Sequence, residues 1–243
     1  FEESNKIEIK SERMHYKQLS DHLFRNDGNK FKDVTLKAKV LNKDWGLSAS
    51  IGDFNNDGWL DIYVANDFIS PDYLYINNKD GTFSNEINTR LQHISVNSMG
   101  SDYADINNDF LPDLTVLDML AEDHRRGKEN MASMNTQGFW EMVESGYHYS
   151  YMANMLQLNN GNGTFSDIGQ LAGISKTDWS WAPLIADFDN DGYKDIFVSN
   201  GIERELGNQD YKKEAIRQQK AKGAMTVNEM MSIMPSEKIS NYI

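Results

Sequence analysis

Short apolar runs rich in β-branched and aromatic residues punctuate the chain, and polar turns separate them. Leu60-Asp61-Ile62-Tyr63-Val64, Tyr73-Leu74-Tyr75-Ile76, Met155-Leu156-Gln157-Leu158 and Lys194-Asp195-Ile196-Phe197-Val198 read as strands. Hairpin turns recur as Asn26-Asp27-Gly28-Asn29-Lys30-Phe31, Asn77-Asn78-Lys79-Asp80-Gly81-Thr82-Phe83 and Asn159-Asn160-Gly161-Asn162-Gly163-Thr164-Phe165. Their Asn, Asp and Gly residues tolerate the left-handed backbone that such turns require. Helical spacing is confined to two stretches. Phe139, Met142 and Val143 mark one or two helices inside a segment from about Met119 to Tyr151. Tyr211 to Lys222 is charged and free of Gly and Pro, and Thr226 with Glu229 forms a capping-box pattern ahead of Met234.

Between strands lie three acidic nonapeptides. Asp187-Phe188-Asp189-Asn190-Asp191-Gly192-Tyr193-Lys194-Asp195 carries side-chain oxygens at its first, third, fifth and ninth positions, with glycine sixth. The same frame recurs over Asp53, Asn55, Asp57, Gly58, Trp59 and Asp61. A third version holds Asp105, Asn107, Asp109, Leu111 and Asp113, with Phe110 in place of glycine and Pro112 after it. A tight loop turns alternate side chains inward, and glycine permits φ > 0 without steric cost. Six to eight oxygens at ~2.3–2.6 Å are what Ca²⁺ requires. The EF-hand shares this opening but closes on a Glu at position twelve, where this chain has Val64, Val116 and Val198. These loops sit between strands, not helices.

The two features keep one register. The turn Phe precedes the first loop Asp by 22 residues in every copy: Phe31 to Asp53, Phe83 to Asp105, Phe165 to Asp187. Loop follows loop after 52 and then 82 residues, the second step being one period plus a 30-residue insertion. Four antiparallel strands in roughly 50 residues is the size of a β-propeller blade, and leaves no room for a parallel βαβ sheet. The expected fold is all-β: half a blade over 20–46, blades over 47–97 and 98–176, and a half blade over 177–243. Helical insertions interrupt the last two at about 119–151 and 203–236. Asp21-His22-Leu23-Phe24 and Ser240-Asn241-Tyr242-Ile243 both read as third strands, so the chain is expected to be part of a longer protein, or to borrow blades from a partner. Small residues in Leu47–Gly52, Met99–Ala104 and Trp181–Ala186 suit innermost strands. Trp45 and Trp179, each eight residues ahead of a loop, are expected to pack between blades, with an aromatic sugar platform as the alternative.

Composition narrows the chemistry. Lys+Arg 24 against Asp+Glu 37 gives a net charge of −13, and ten of the acids lie in the three loops. Three Ca²⁺ ions, carrying six positive charges, would bring the total to about −7. An acidic chain without a basic face argues against nucleic acid as a partner. The absence of cysteine excludes disulfides, zinc–thiolate sites and thiol nucleophiles. No run of 18 apolar residues predicts a membrane span, and Phe1-Glu2-Glu3 looks like an internal or processed start. No catalytic constellation or organic cofactor site is visible: the five histidines ignore the loop register, and G-x-S-x-G is missing. His124-Arg125-Arg126 reads either as a solvated helix end or as a site for an anionic sugar or acidic protein. The 119–151 insertion is the best place for a partner site, a cap over the blade being the alternative.

With these motifs the chain resembles the FG-GAP/VCBS repeats of integrin α-subunit propellers and bacterial surface proteins. Asp118-Met119-Leu120-Ala121-Glu122-Asp123-His124-Arg125-Arg126, Asn154-Met155-Leu156-Gln157-Leu158-Asn159-Asn160 and Thr177-Asp178-Trp179-Ser180-Trp181-Ala182-Pro183 resemble the proteins allied to cartilage acidic protein, which often end in an ASPIC/UnbV domain. The resemblance implies a Ca²⁺-stabilised propeller, secreted or lipid-anchored at the bacterial outer-membrane surface. Its ligands would be Asp53, Asn55, Asp57, Asp61, Asp105, Asn107, Asp109, Asp113, Asp187, Asp189, Asp191 and Asp195, with carbonyls from Trp59, Leu111 and Tyr193. Phe110 departs from the pattern, so the 105–113 loop should bend differently or bind most weakly. The implied function is a non-catalytic scaffold for a protein or glycan partner, or a component of an outer-membrane transport or secretion complex. A polysaccharide lyase or hydrolase is the alternative.

Overall fold

A computed structural model describes residues 20–67, 70–130 and 135–243; the reading of Phe1-Glu2-Glu3 lies outside them, as does part of the 119–151 insertion. Strands β1 (Phe24–Asn26) and β2 (Phe31–Asp33) close an antiparallel hairpin around the first Asn/Gly turn. A single helical turn, α1 (Thr35–Ala38), follows. Next come β3 (Gly46–Gly52), β4 (Asp61–Asn66), β5 (Tyr73–Asn77) and β6 (Phe83–Asn85), an antiparallel sheet in sequence order. After α2 (Ile87–Arg90) and β7 (Ile94–Ser95), a second such sheet begins with β8 (Ser101–Ala104) and β9 (Asp113–Val116). Helices α3 (His124–Asn130) and α4 (Thr136–Glu144) and strand β10 (Ser150–Tyr151) intervene before β11 (Met155–Asn159) and β12 (Phe165–Asp167) complete it. The pair β13 (Ser180–Ala186) and β14 (Asp195–Asn200) precedes α5 (Gln209–Lys222) and α6 (Val227–Ile233). The capping box on α6 is formed as the sequence predicts. Tyr242 then bridges back to Val198.

One pairing departs from the antiparallel expectation. β10 runs parallel to β7, with Ser150 opposite Ile94 and Tyr151 opposite Ser95. Two residues suffice because the connection between them is long, which is what a parallel pair needs. The pairing ties the returning arm of the insertion to the connection that leads into β8.

Strand alternation distributes the core between sheets. On β4 and β5, Tyr63, Ala65, Leu74 and Ile76 face one side, where Phe54 of their own unit and Leu114, Val116, Met155 and Phe165 of the next meet them. Ile62, Val64, Tyr73 and Tyr75 face the other side, against Leu23, Val34, Ala38 and Val40. Both faces of this sheet are therefore covered, and burying each large side chain contributes ~1.5–3 kcal/mol. First strands of successive units lie beside one another. Ser48 and Ser50 hydroxyls meet that of Ser101, and the Ile185 N–H donates to Asp102. The approach is close enough to exclude a Cβ: one at Gly52 would overlap the Tyr103 ring, and one at Gly100 the Trp181 carbonyl. Contrary to the expected packing between blades, Trp45 is 60% exposed, and Trp179 is only half-buried.

A repeated clasp ends each second strand. The residue leaving the strand donates its N–H to an Asp or Asn that opens the third: Asn66 to Asp72, Asp118 to Asn154, Asn200 to Asn241, all at 2.8 Å. The clasp residue also reaches the following unit. Asp72 accepts from Ser98 of the next unit at 2.7 Å and from Tyr63 of its own, while the Asn154 amide donates to Thr177 of the next and to the Ile174 carbonyl of its own. Burial pushes the Asp72 carboxyl up to about 7 against these hydrogen bonds, and lifts Asp118 to about 6.

The helical segments are joined by charge. Arg126 on α3 pairs with Asp178 and Glu205, and Asn130 donates to Glu205 at 2.7 Å. The acids are almost fully buried, with side chains 8% and 4% exposed. The reading of His124-Arg125-Arg126 as a solvated helix end therefore holds for Arg125, 85% exposed, but not for Arg126.

Two outcomes are expected. A carboxyl raised from about 4 to about 7 favours folding below about 4 and loses that contribution as pH rises to about 7. Asp72→Asn, carrying the residue of the next repeat, should thus gain on the order of 2 kcal/mol relative to the parent between about pH 5 and 8. Thermal denaturation across that range checks it, and parallel curves would show that Asp72 does not titrate there. Arg126→Met leaves two buried carboxylates unpaired and should cost ~2–4 kcal/mol by denaturant titration. Adding Glu205→Gln should recover part of that loss.

Candidate metal centre

Each acidic loop is built on its own backbone donors. The first Asp takes the N–H groups of residues five and six: Asp57 and Gly58 on Asp53 (2.9 and 2.7 Å), Asp109 and Phe110 on Asp105 (3.1 and 2.9 Å), Asp191 and Gly192 on Asp187 (3.1 and 3.0 Å). The third side chain accepts from residue five, and the fifth from residue seven. Trp59, Leu111 and Tyr193 are thereby fixed in place through their N–H groups. The ninth Asp accepts from residue two, at 2.9, 3.1 and 3.0 Å in the three loops. In the first two loops its other oxygen holds the first N–H of the following hairpin turn, from Asn77 or Asn159, at 2.8 Å.

These bonds curl all three loops alike, but the acids of the first two loops, and Asp191, do not join a cluster as close as that of the third loop's other three acids. Among the described residues, Asp187, Asp189 and Asp195 have carboxylate oxygens lying within 4.8 Å of one another. The donors are carboxylate and amide oxygens without thiol or imidazole, which fits a hard divalent cation. Burial pushes the Asp61 and Asp113 carboxyls up, partly offset by their backbone N–H bonds and reinforced by the neighbouring loop acids. Burial also works against ionisation of Asp57, but bonds from Asn55, the Trp59 N–H and Lys79 hold its carboxyl below the usual range.

The loops differ at two positions. Asn55 and Asn107 donate their amides to the fifth Asp at 2.9 Å, whereas Asp189 has no such donor, so the third loop carries four acids, three of which converge. Phe110 has φ 69° and is 92% exposed, yet its N–H makes the same bond as Gly58 and Gly192. The second loop therefore bends like its sisters, against the expectation of a different bend. Asn108 donates to the Gly192 carbonyl at 2.9 Å, joining the second loop to the third.

A family profile described as FG-GAP-like repeat matches residues 16–64, 53–116 and 138–198, well over half of the chain. Each match ends in the strand after an acidic loop, at Val64, Val116 or Val198. The chain belongs to the FG-GAP-like repeat family. No curated protein matches it. Each FG-GAP match thus closes on an acidic loop and the strand after it, and straddles two sheets instead of coinciding with one.

Sequence reasoning missed three parts of the loop. Asn56, Asn108 and Asn190, fourth in each FG-GAP loop, all have φ near 60°, and their identity at that position was the available signal. Phe54, second in its loop, is fully buried and stacks on Tyr103 at 4.1 Å. Lys79 pairs with Asp57 at 3.3 Å from the neighbouring turn. A non-glycine residue with left-handed backbone costs about 1–2 kcal/mol. Phe110→Gly should therefore stabilise the fold by ~0.5–1 kcal/mol after the larger unfolded-state entropy of glycine, while Gly58→Ala should cost ~1–2 kcal/mol. Equal destabilisation by both changes in a denaturant titration would refute the strain argument.

Proposed function

We propose that this chain is a portion of a Ca²⁺-binding, non-catalytic β-propeller that serves as an interaction scaffold outside the cytoplasm. The observation that carries this reading is the threefold recurrence of one spacing of side-chain oxygens, with the same backbone bonds in all three loops and the convergence of Asp187, Asp189 and Asp195 in the third. Asp53, Asn55, Asp57 and Asp61 would hold one ion, Asp105, Asn107, Asp109 and Asp113 a second, and Asp187, Asp189, Asp191 and Asp195 a third. Carbonyls of Trp59, Leu111 and Tyr193 would complete them. Bound Ca²⁺ supplies positive charge that cancels the repulsion among these carboxylates. The loops themselves do the rest: in the first two, the ninth Asp carries the geometry to the next hairpin turn.

The cellular setting follows from the same chemistry. Open, surface loops of this kind fill where Ca²⁺ is plentiful, which supports a place at the bacterial outer-membrane surface. Among the described residues, no helix is long and apolar enough to cross a membrane. The partner, a protein or a surface glycan, is assigned to the insertion, where Trp140, Tyr149 and Tyr151 are exposed around Phe139. Membership of an outer-membrane transport or secretion complex accords with that surface.

Thermal denaturation with and without chelator tests the metal reading. An ion at a hundred times its Kd adds ~2.7 kcal/mol per site, or about 5–10 °C in Tm for a chain of this size. Ca²⁺ should restore what chelator removes, and Asp187→Asn should lose one site's share. A Tm indifferent to both would sink the proposal.

A further inference from the structure

The three hairpin turns share one construction, and one residue breaks it. Asn26, Asn77 and Asn159 each accept, on their side-chain oxygen, the N–H two residues on, at 2.8, 2.9 and 3.0 Å. The donor lies in the left-handed region every time, at φ 93°, 64° and 71°. Glycine takes that position at Gly28 and Gly161, but the middle turn places Lys79 there. An L side chain is disfavoured in that conformation, and nothing in the turn itself requires one. What the lysine gains is a charge partner: its Nζ lies 3.3 Å from Asp57 Oδ2, the fifth ligand position of the first acidic loop. The turn borders the loop in the next repeat as well, where a Cβ at Gly161 would sit 3.1 Å from Leu111 Cδ1.

We infer that Lys79 is a tethered counter-cation that lowers the divalent-ion affinity of the first loop and makes it fill last. The inference rests on the reading of the loops as Ca²⁺ sites. An ammonium on the fifth carboxylate competes with the ion for that oxygen and repels it once bound. Counting Lys79 and Lys194, the first loop presents a formal charge of −2 and each of the other two −3. The first loop therefore fills after the other two. This reverses the order expected from Phe110 alone. The second loop makes the same backbone bonds as its sisters, so the strain at Phe110 costs folding stability and not affinity. Because Lys79 is 47% exposed and can swing into solvent, its effect is modest and weakens with added salt.

Trp59, seventh in the first loop, provides the readout, since an adjacent Trp sensitises the emission of Tb³⁺, a stand-in for Ca²⁺. Under Trp-selective excitation, a Tb³⁺ titration of the full chain should show a midpoint ~3–10-fold lower in Lys79→Gly and Lys79→Gln than in the parent. Trp59→Phe should remove the signal, and Ca²⁺ should compete it away. Lys79→Gly follows the other two turns and retains their geometry. A midpoint unchanged or raised in both variants overturns the inference, as does a shift in Lys79→Gly alone, which would assign the effect to backbone strain. If metal analysis finds neither Tb³⁺ nor Ca²⁺ bound to parent or variants, the metal reading beneath it falls too.

Discussion

Carboxylates crowded into nine residues repel one another, and the fold depends on how their lone pairs are committed to backbone N–H groups. The first Asp of each loop grips two such donors and so sets the curl. The ninth grips one inside the loop and, in the first two units, one in the hairpin beyond it. Asp61 and Asp113 are fully buried while doing this. Loop, second strand and third strand are consequently held at one point. The sheets inherit their spacing from that junction, since β4 and β9 start at the ninth Asp itself.

Periodicity carried most of this in readable form. Side-chain oxygens at alternate positions located the loops, Asn/Gly pairs located the hairpins, and a constant 22-residue offset joined them into one unit. What stayed hidden was held by single residues acting across units. Asp72, Asn154 and Asn241 stand just ahead of third strands, yet their use as clasps depends on where Ser98 and Thr177 arrive in space. Arg126 read as a surface charge because its partners Asp178 and Glu205 lie 52 and 79 residues away. Phe110 broke the glycine rule without breaking the bend, for its side chain points into solvent and the αL cost is borne locally. The parallel contact of β7 with β10 had no local signature at all.

Charge plays two separate roles in the molecule. In the loops it is concentrated within nine residues and committed to backbone N–H groups. Around Arg126 it is internal and balanced by one cation against two acids, which fastens α3 to the segments before β13 and after β14. Both helical segments are therefore anchored to the sheets while Trp140, Tyr149 and Tyr151 remain outside. A rigid base under an exposed aromatic surface limits the entropy lost when that surface is covered.

The largest apolar cluster lies between sheets, with Tyr63, Leu74 and Ile76 from one and Leu114, Met155 and Phe165 from the next. Such a seam belongs to a pair of neighbours, as in other linear arrays. Shortening the chain by one whole period, loop Asp to loop Asp, would re-create a seam of the same kind. Cutting within a period would strip one face bare. Elongation and contraction by entire periods are thus the length changes this architecture accommodates most readily.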